Sequence, residues 1–340
     1  MPNASKKFRI NIQFLSLKNR VSFFMPTKLI RSLHNVRPEQ HGGVVTIGNF
    51  DGVHKGHQTL IANVVAQARA LKVPSFLITF EPHPFEFFAK ENLTIPRITR
   101  LREKFCALAA CGIDNVLILP FNQELANISA SDFVTDVLYQ FLRPVQILIG
   151  DDFRFGYQRQ GDLTLLQEMG QQLEFSAAAI SSITLEGERI SSTWVRKALM
   201  EGNLSLANTL LGHPYSMMGR VRHGDRLGRQ LGFPTANIFL HRRLTPVLGV
   251  YAVLVHGIGD KPLRGAANIG TRPTVDGTRT LLEVHLLDFN QDIYGRYVQV
   301  EFCKKLRDEE RYANLDLLKN QIAKDVEETR NYFLNLGDYE

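Results

Sequence analysis

The segment GNFDGVHKGH at residues 48–57 combines a glycine-rich loop with two histidines. An apolar strand-like run precedes it, and apolar residues at helical spacing follow it over residues 57–71. Free N–H groups at a helix start favour phosphate, and His54 and His57 could donate hydrogen bonds to phosphate oxygens. Gly48 lets the backbone approach a ligand closely. The segment therefore predicts a phosphate site, although two histidines that only cap a helix remain the alternative.

The segment RISSTWVRK at residues 189–197 places hydroxyl groups at another predicted helix start. Ser191, Ser192 or Thr193 can cap that helix. Ser192 and Arg196 are four positions apart and so share one face of it. Hydroxyls, free N–H groups and a guanidinium would suit a pyrophosphate leaving group. Taken alone, a capped helix with a surface arginine explains the segment equally well.

Two more polar segments directly follow predicted strands. GDDFRFG at 150–156 places Asp152 and Arg154 for ligand contact, whereas core packing is the better interpretation of its phenylalanines. TFEPHP at 79–84 contains His83, for which structural and functional roles are equally open. Ligands of open α/β sheets bind at the carboxyl ends of strands.

A second constellation lies at 219–238, GRVRHGDRLGRQLGFPTANI. Gly224 and Gly228 expose backbone in a basic loop that lacks the GxxxxGK[ST] pattern of a Walker site. Thr235 and Asn237 point to the same side if the chain is extended, and their oxygens could hold Mg²⁺ beside ATP phosphates. A basic turn before a polar strand end is the alternative. The loop's arginines are Arg222, Arg226 and Arg229.

The strand-like run LLEVHLLDF at 281–289 carries Glu283 and His285 on one face. An acid between Leu282 and Val284 is unusual unless it is paired or functional. As a general base, Glu283 could take the proton of an attacking alcohol, a role worth roughly 10²–10⁴-fold in rate. The alternative is the exposed face of a half-buried strand.

The elements that must position these residues change character near the middle of the chain. Strands alternate with helices over about 43–200, which indicates a doubly wound parallel sheet. Short β-rich runs separated by turn residues follow from 217, which indicates an antiparallel barrel or sandwich. Helical spacing over about 313–333 closes the pattern.

GNFDGVHKGH, TFEPHP, GDDFRFG and ISSTWVR, in that order, resemble the adenylyltransferase module of the bacterial riboflavin kinase/FMN adenylyltransferase (FAD synthetase) family, within the nucleotidyltransferase superfamily. The resemblance implies attack of the FMN phosphate on the α-phosphorus of ATP, with release of pyrophosphate and no covalent enzyme intermediate. It implies that His54 and His57 contact ATP phosphates, and that the far phosphates meet Ser192, Thr193 and Arg196. The same nucleotide site is expected to include Gly48, Phe50, Asp51 and Asp152.

GRQLGFPTAN, NIGTRPTV, EVHLLDF, YG at 294–295 and LRDEERY resemble the riboflavin kinase module of that family. The resemblance implies a six-stranded antiparallel barrel with a terminal helix. It also implies that Glu283 activates the terminal ribityl hydroxyl of riboflavin, and that Thr235 and Asn237 serve ATP and Mg²⁺. We expect Gly224 and Arg229 of the basic loop to bind the phosphates of the same ATP. The family often has Lys then Phe where Arg311 and Tyr312 stand, a mild departure.

Charge and cysteine content narrow the function classes. Residues 1–24 contribute five of the six net positive charges, so residues 25–340 carry only +1, which argues against a nucleic-acid-binding face. The sequence contains no run of about 18 uninterrupted apolar residues, so we expect no membrane span. The three cysteines form no CxxC pair, and we expect free thiols in the reducing cytoplasm. These are Cys106, Cys111 and Cys303.

We expect residues 1–26 to be a disordered extension, 27–211 an FMN adenylyltransferase module and 212–340 a riboflavin kinase module. A transit peptide or a start codon placed too early is the alternative for the extension. Riboflavin, FMN and ATP are the expected partners, with Mg²⁺, and weak self-association stays open. One rival is a flavin-responsive binding protein with an inactive module; another is a synthetase acting on RNA.

Overall fold

The computed structural model describes residues 27–89, 95–224, 227–242, 244–274 and 277–336. The expectation for residues 1–26 therefore lies outside the described residues. The described part folds into a sheet-and-helix unit followed by a closed barrel. The last helix of the first unit, Leu204–Leu211, is followed by Gly212 in the left-handed conformation that glycine adopts freely.

The first unit is built on a six-stranded parallel sheet with strand order β1-β4-β3-β2-β5-β6. Its chain leaves β2 toward one edge and resumes at β5 on the other side, which places a topological switch point between these two strands. The predicted doubly wound sheet is confirmed. The strands are β1 (Lys28–Arg31), β2 (Val44–Ile47), β3 (Ser75–Glu81), β4 (Asn115–Pro120), β5 (Gln146–Gly150) and β6 (Ser176–Ile180).

Helices cover both faces of this sheet, and a short hairpin precedes the last two. The helices are α1 (Lys55–Leu71), α2 (Pro84–Ala89), α3 (Leu101–Ala110), α4 (Gln123–Asn127), α5 (Ala130–Asp132), α6 (Gln140–Leu142), α7 (Leu163–Leu173), α8 (Ser192–Met200) and α9 (Leu204–Leu211). The hairpin strands are β7 (Thr184–Leu185) and β8 (Glu188–Arg189). A π-helical stretch, Phe133–Tyr139, links α5 to α6, and 3-10 turns lie at Leu33–Asn35, Pro38–Gln40 and Tyr157–Arg159.

Alternate residues of each strand enter different cores. Val44 and Leu77 pack with α1 and α3 on one face of the sheet. Val45 and Phe76 pack with the α5–α6 segment and α7 on the other. Burial on both faces explains why these strands appear in the sequence as continuous apolar runs rather than alternating ones.

The second unit is a closed six-stranded barrel with strand order β10-β13-β12-β11-β14-β9, in which all pairs are antiparallel. The barrel and the terminal helix predicted from the resemblance are confirmed. The strands are β9 (Ser216–Arg222), β10 (Ala236–Phe239), β11 (Gly249–His256), β12 (Leu263–Thr274), β13 (Gly277–Leu286) and β14 (Tyr297–Arg307). The helices are α10 (Leu227–Gln230) and α11 (Leu315–Asn335).

The two units share one hydrophobic core. Val195 and Leu199 of α8 belong to the same buried cluster as Tyr215 and Val221 at the start of the barrel. Buried polar contacts reinforce this junction, because the Tyr215 hydroxyl donates to the carbonyl of Ile98 in the first unit at 3.2 Å. The barrel therefore packs directly against the sheet unit and is not joined to it by a linker alone.

Candidate active sites

The histidine pair lies at the start of α1, beyond the end of β2. His54 is the N-cap residue, and its Nδ1 accepts the backbone N–H of His57 at 3.4 Å. The two rings stack with centroids 3.7 Å apart. A Cβ at Gly56 would lie 3.1 Å from the His54 ring, so glycine allows this close packing. The Nδ1 atom of His57 is buried and has no hydrogen-bond partner among the described residues.

Burial keeps both imidazoles neutral at physiological pH. It lowers the pKa of His54 to about 4, although Asp51 and Asp152 oppose the shift. It also lowers the pKa of His57 well below its ordinary value, helped by His54, Lys104 and Arg189. A neutral imidazole donates through one nitrogen only, so each ring offers one N–H to a ligand.

The buried Asp51 fixes the loop at residues 48–57, which we call the histidine loop. Its carboxylate accepts the backbone N–H groups of Thr99 and Ile98 at 2.9 and 3.1 Å and pairs with Arg196 at 3.0 Å. Burial alone would raise the pKa of this carboxyl, but the two N–H groups, Lys104 and Arg196 hold it below its ordinary value. All these bonds fix the loop between β2 and α1 in one shape.

The second predicted phosphate segment meets this loop. Ser191 caps α8 by accepting the backbone N–H of Trp194, which resolves the three candidate caps. Ser192 Oγ donates to the carbonyl of Asp51 at 2.8 Å, and Arg196 Nε donates to the carbonyl of Pro96. Ser192 and Arg196 thus share the face that contacts the histidine loop, whereas Thr193 is exposed.

Lys104 is a site residue that the sequence reasoning missed. Its side chain is 1% exposed, and Nζ donates to the carbonyl of Asn49 at 2.6 Å and to the Thr79 hydroxyl at 3.3 Å. Burial lowers the pKa of Lys104 to about 8 against the opposing charge of Asp51. In the sequence this lysine lies in an amphipathic helix, where nothing distinguishes it from a surface lysine.

Asp152 lies at the rim of the same site. It pairs with Arg189 at 2.6 Å, and both charges act on His54. Arg189 also escaped the sequence reasoning, although a signal for its position exists. Glu186 and Gly187 both have positive φ in the two-residue turn of the β7–β8 hairpin, and a turn of this type often contains glycine.

The remaining predicted residues of this unit lie in different surroundings. Phe50 is 1% exposed, and its ring lies at 59° to that of His57 with centroids 5.0 Å apart. A Cβ at Gly48 would touch the Phe50 ring. Arg154 is exposed, and its guanidinium donates to the Phe153 carbonyl. His83 is buried, and its Nδ1 accepts the Phe85 N–H at the start of α2. This contact serves as a helix cap, which gives His83 a structural role. Burial lowers the pKa of His83 to about 3, although the charge of Asp51 opposes the shift.

On the barrel, three polar residues lie side by side on adjacent strands. Glu283 is directly opposite Asn237 on β10 and directly opposite Asn268 on β12. Residues that face each other across antiparallel strands project from the same side of the sheet. Leu282 and Val284, the neighbours of Glu283 in sequence, are fully buried, so this polar row lies on the outer face of the barrel.

The glycine-rich loop packs against that row. A Cβ at Gly224 would lie 2.4 Å from the Asn237 side chain, and one at Gly228 would lie 3.2 Å from Thr235 Oγ1. A Cβ at Gly228 would also lie 2.4 Å from the Phe233 carbonyl oxygen, so a side chain there would displace backbone, whereas one at Gly224 would displace the Asn237 amide. Gly224 thus lies against Asn237, and Gly228 lies against Thr235. The side chain of Arg229, expected in the same site, lies outside the described residues.

The oxygen atoms near Glu283 suit a hard cation. Thr235 and Asn237 supply hydroxyl and amide oxygens, the type of ligand that Mg²⁺ takes from proteins. The Oδ1 of Asn268 is buried without a hydrogen-bond partner among the described residues. His285 does not join this set, since its Nδ1 donates to the Pro234 carbonyl at 2.9 Å. In the described part, no cluster of three or more His, Cys, Asp or Glu forms a metal site.

Known proteins match both units. Two family models match, one described as FAD synthetase over residues 36–194 and one described as riboflavin kinase over residues 211–333. The bifunctional riboflavin kinase/FMN adenylyltransferase of Escherichia coli (strain K12) is 51% identical over 307 residues, covering 90% of this chain and 98% of that protein. The Pseudomonas fluorescens protein of the same name is 47% identical over 89% of this chain and 97% of its own length.

A solved structure shares the whole architecture. It is named as a macrolide-efflux protein from Streptococcus pneumoniae, and it is similar with a TM-score of 0.74 at 32% identity over 90% of this chain and 99% of its own. The similarity shows that the sheet unit and the barrel recur together in that protein. Among the helices described for this chain, none has the length and apolarity to cross a membrane.

Proposed function

The chain belongs to the family of bifunctional riboflavin kinases/FMN adenylyltransferases, and from that premise we propose which residues carry each of its two activities. It phosphorylates riboflavin to FMN with ATP, and it transfers AMP from a second ATP to FMN, giving FAD and pyrophosphate. We place the adenylyltransferase in residues 27–211 and the kinase in residues 212–340. The rival of a binding protein with an inactive module is not favoured.

For adenylyl transfer, we propose that His54, His57 and the free N–H groups of the α1 start bind the phosphates of ATP. An oxygen of the FMN phosphate attacks the α-phosphorus, and the bond to the pyrophosphate breaks as negative charge moves onto it. Donors fixed in advance stabilise that charge without reorganisation. The observation that supports this role is the buried, unpartnered Nδ1 of His57 within a loop held rigid by Asp51.

Ser192 and Arg196 are proposed to act on the far phosphates, as the resemblance implies. Both already contact Asp51, so they hold the loop as well as line the site. We propose that Asp152 and Arg189 form the outer rim, where a nucleotide would exchange contacts with their ion pair. Lys104 is proposed to support the loop from below through the carbonyl of Asn49.

For the kinase, we propose that the Glu283 carboxylate takes the proton of the terminal ribityl hydroxyl while that oxygen attacks the γ-phosphorus of ATP. ADP leaves as the new phosphate ester forms. The oxygens of Thr235 and Asn237 would hold Mg²⁺, which neutralises phosphate charge when it is bound. The single observation that supports this site is the register that sets Asn237 directly opposite Glu283.

Product analysis with riboflavin and Mg-ATP tests the pair of activities. We expect FMN to accumulate first and FAD to follow, and neither product would form if the binding-protein rival held. Stimulation of pyrophosphate exchange by tRNA would instead support the RNA-directed rival. Omitting Mg²⁺ should stop FMN formation, which tests whether the kinase reaction requires the metal.

The cellular compartment and self-association are also part of the proposal. We propose the cytoplasm as the compartment because the three cysteines are unpaired thiols. Burial raises the pKa of Cys111 to about 11 and that of Cys303 to about 12, so these thiols are poorly reactive. Weak self-association remains a prediction, which sedimentation at several protein concentrations would measure.

A further inference from the structure

A cavity of about 1200 Å³ lies between the sheet unit and the barrel, away from the histidine loop and from Glu283. One wall is the edge strand β1 with the turns that follow it, and another is the start of α3. The third wall is the outer face of the barrel at β9, at the end of β10 and at Tyr297. Ligand pockets typically measure about 300–1,000 Å³, so this cavity is large enough for a cofactor-sized molecule.

Its lining is strongly cationic. Seven lysine and arginine residues line it against two glutamates. Both glutamates already pair with arginines, since Glu103 is buried against Arg242 and Glu39 lies 3.8 Å from Arg37. Lys28, Arg31 and Arg220 have no carboxylate partner in the described part of the chain. Such an uncompensated group of cations favours a multiply charged anion.

Aromatic rings lie among these cations. The Arg102 guanidinium stands 4.1 Å over the Tyr297 ring, and that of Arg222 stands 4.7 Å over the Phe239 ring. Each contact places a guanidinium over the face of a ring, where its N–H groups can still donate to phosphate. A wall of rings and guanidinium groups suits a ligand with both a flat aromatic system and a phosphate.

The outer face of the barrel connects the cavity with the kinase site. Asn237 is directly opposite Arg222 on β9, and Arg220 is directly opposite both Phe239 and Tyr297. Facing residues of antiparallel strands project from the same side, as do residues two apart in one strand. The outer face that carries Glu283 and Asn237 therefore continues through Arg222 and Arg220 into the cavity.

We propose that this cavity is a third binding site, which takes a phosphorylated planar ring leaving the kinase site. The inference rests on the kinase activity, whose two products, FMN and ADP, both have this chemistry. The phosphate would lie among Lys28, Arg31 and Arg220, with the ring against Tyr297. Riboflavin has the ring without the phosphate and is not expected to bind there.

Equilibrium dialysis of the full chain with FMN, ADP or riboflavin tests the site. The variant is the double substitution Arg31→Glu with Arg220→Glu, and the matched control reverses two exposed charges elsewhere, Arg143→Glu with Lys261→Glu. The wild type and the control should bind one more equivalent of FMN or ADP than the variant. Loss of two phosphate partners should weaken that equivalent by about tenfold or more. Riboflavin binding and both turnover numbers at saturation should match the wild type.

Loss of the extra equivalent for FMN alone, or for ADP alone, supports the site and identifies its occupant. Equal numbers of bound FMN and ADP in the variant and the wild type would overturn the proposal, as would equal loss in the control. Failure of the underlying kinase assignment is distinguishable, because the wild type would then form no FMN from riboflavin.

Discussion

Arg196 and Asp51 are 145 positions apart in the sequence, and their side chains form an ion pair of 3.0 Å. The pair joins the start of α8 to the histidine loop, so the two predicted phosphate segments form one site. Both partners are largely buried, with exposed fractions of 12% and 2%. Removal of one partner from such a pair leaves an uncompensated charge, which is strongly destabilising.

Substitution Asp51→Asn keeps the shape of the side chain but removes its charge. We expect the free energy of unfolding to fall by about 3–5 kcal/mol, the usual cost of breaking a buried pair. FAD formation from supplied FMN should fall with it, since Arg196 and Lys104 lose their shared counter-charge. Urea unfolding measures the first effect and pyrophosphate release the second. An unchanged unfolding midpoint would mean that the pair does not hold the loop.

Substitution Glu283→Gln should abolish FMN formation and spare FAD formation from supplied FMN. The amide cannot accept the hydroxyl proton, and loss of a general base typically costs about 10²–10⁴-fold in rate. Chromatography of the two reactions, run separately, measures both rates. The matched control is Glu301→Gln, another half-buried barrel carboxylate, which pairs with His256. Loss of both activities in a folded protein would contradict the assignment.

Substitution His57→Ala should do the reverse, so that the reaction stalls at FMN. The change removes one donor to the ATP phosphates, and donors of this kind are worth about 10²–10³-fold. The exposed His34→Ala serves as control. Accumulation of FAD at the normal rate by His57→Ala would exclude this histidine from the chemistry.

Sequence patterns predicted these segments but not which of them contact each other in the fold. The strand and helix periods located both units, because continuous apolar runs and helical spacing reflect burial directly. The Asp51–Arg196 pair and the buried position of Lys104 depend on contacts between distant segments, which no local pattern records. The four-residue strand β1 also escaped prediction, since KLIR has charged ends and pairs only with β4 at the sheet edge.

Register decides which polar residues of the barrel lie side by side. Residue type and motif point to Thr235, Asn237 and Glu283, and the pairing of β10 with β13 places the last two opposite each other. Asn268 was passed over, because an asparagine in a strand-like run has no distinguishing local context. Only the pairing of β12 with β13 places it beside Glu283.

Stability should fall as the pH drops from about 6.5 toward 3, and His83 should contribute to this loss. Burial lowers the folded-state pKa of His83 to about 3, whereas the unfolded chain takes up the proton near 6.5. Protons therefore bind the unfolded state first in that range, and one such group gives a slope of up to about 1.4 kcal/mol per pH unit. The contribution is fully present above pH 6.5.

The variant His83→Asn tests this dependence. Asparagine is a good N-cap and can still accept the N–H of Phe85, but it does not titrate. Urea unfolding at several pH values should give a flatter slope for His83→Asn than for the wild type. Equal slopes would show that other groups cause the acid sensitivity. Asp51, whose pKa is lowered, loses its contribution only below its ordinary value of 3.8.

Arg242 connects the barrel to the adenylyltransferase site through one short segment. Its guanidinium donates to the carbonyls of Arg97 and Ile98, and it pairs with the buried Glu103. The N–H groups of Ile98 and Thr99 in turn hold Asp51. A barrel residue therefore fixes the backbone that positions the histidine loop.

Substitution Arg242→Ala should consequently impair FAD formation although Arg242 belongs to the kinase unit. We expect a loss of about 3–5 kcal/mol of unfolding free energy, because Glu103 is left charged and buried. The double variant Arg242→Ala with Glu103→Gln removes that stranded charge and should regain part of the stability. It should not regain the rate of adenylyl transfer, since the carbonyls of Arg97 and Ile98 still lack their guanidinium donor. The control Arg330→Ala breaks an exposed pair with Asp288 and should cost no more than about 1 kcal/mol. Recovery of both stability and FAD formation in the double variant would show that Arg242 serves only to neutralise Glu103.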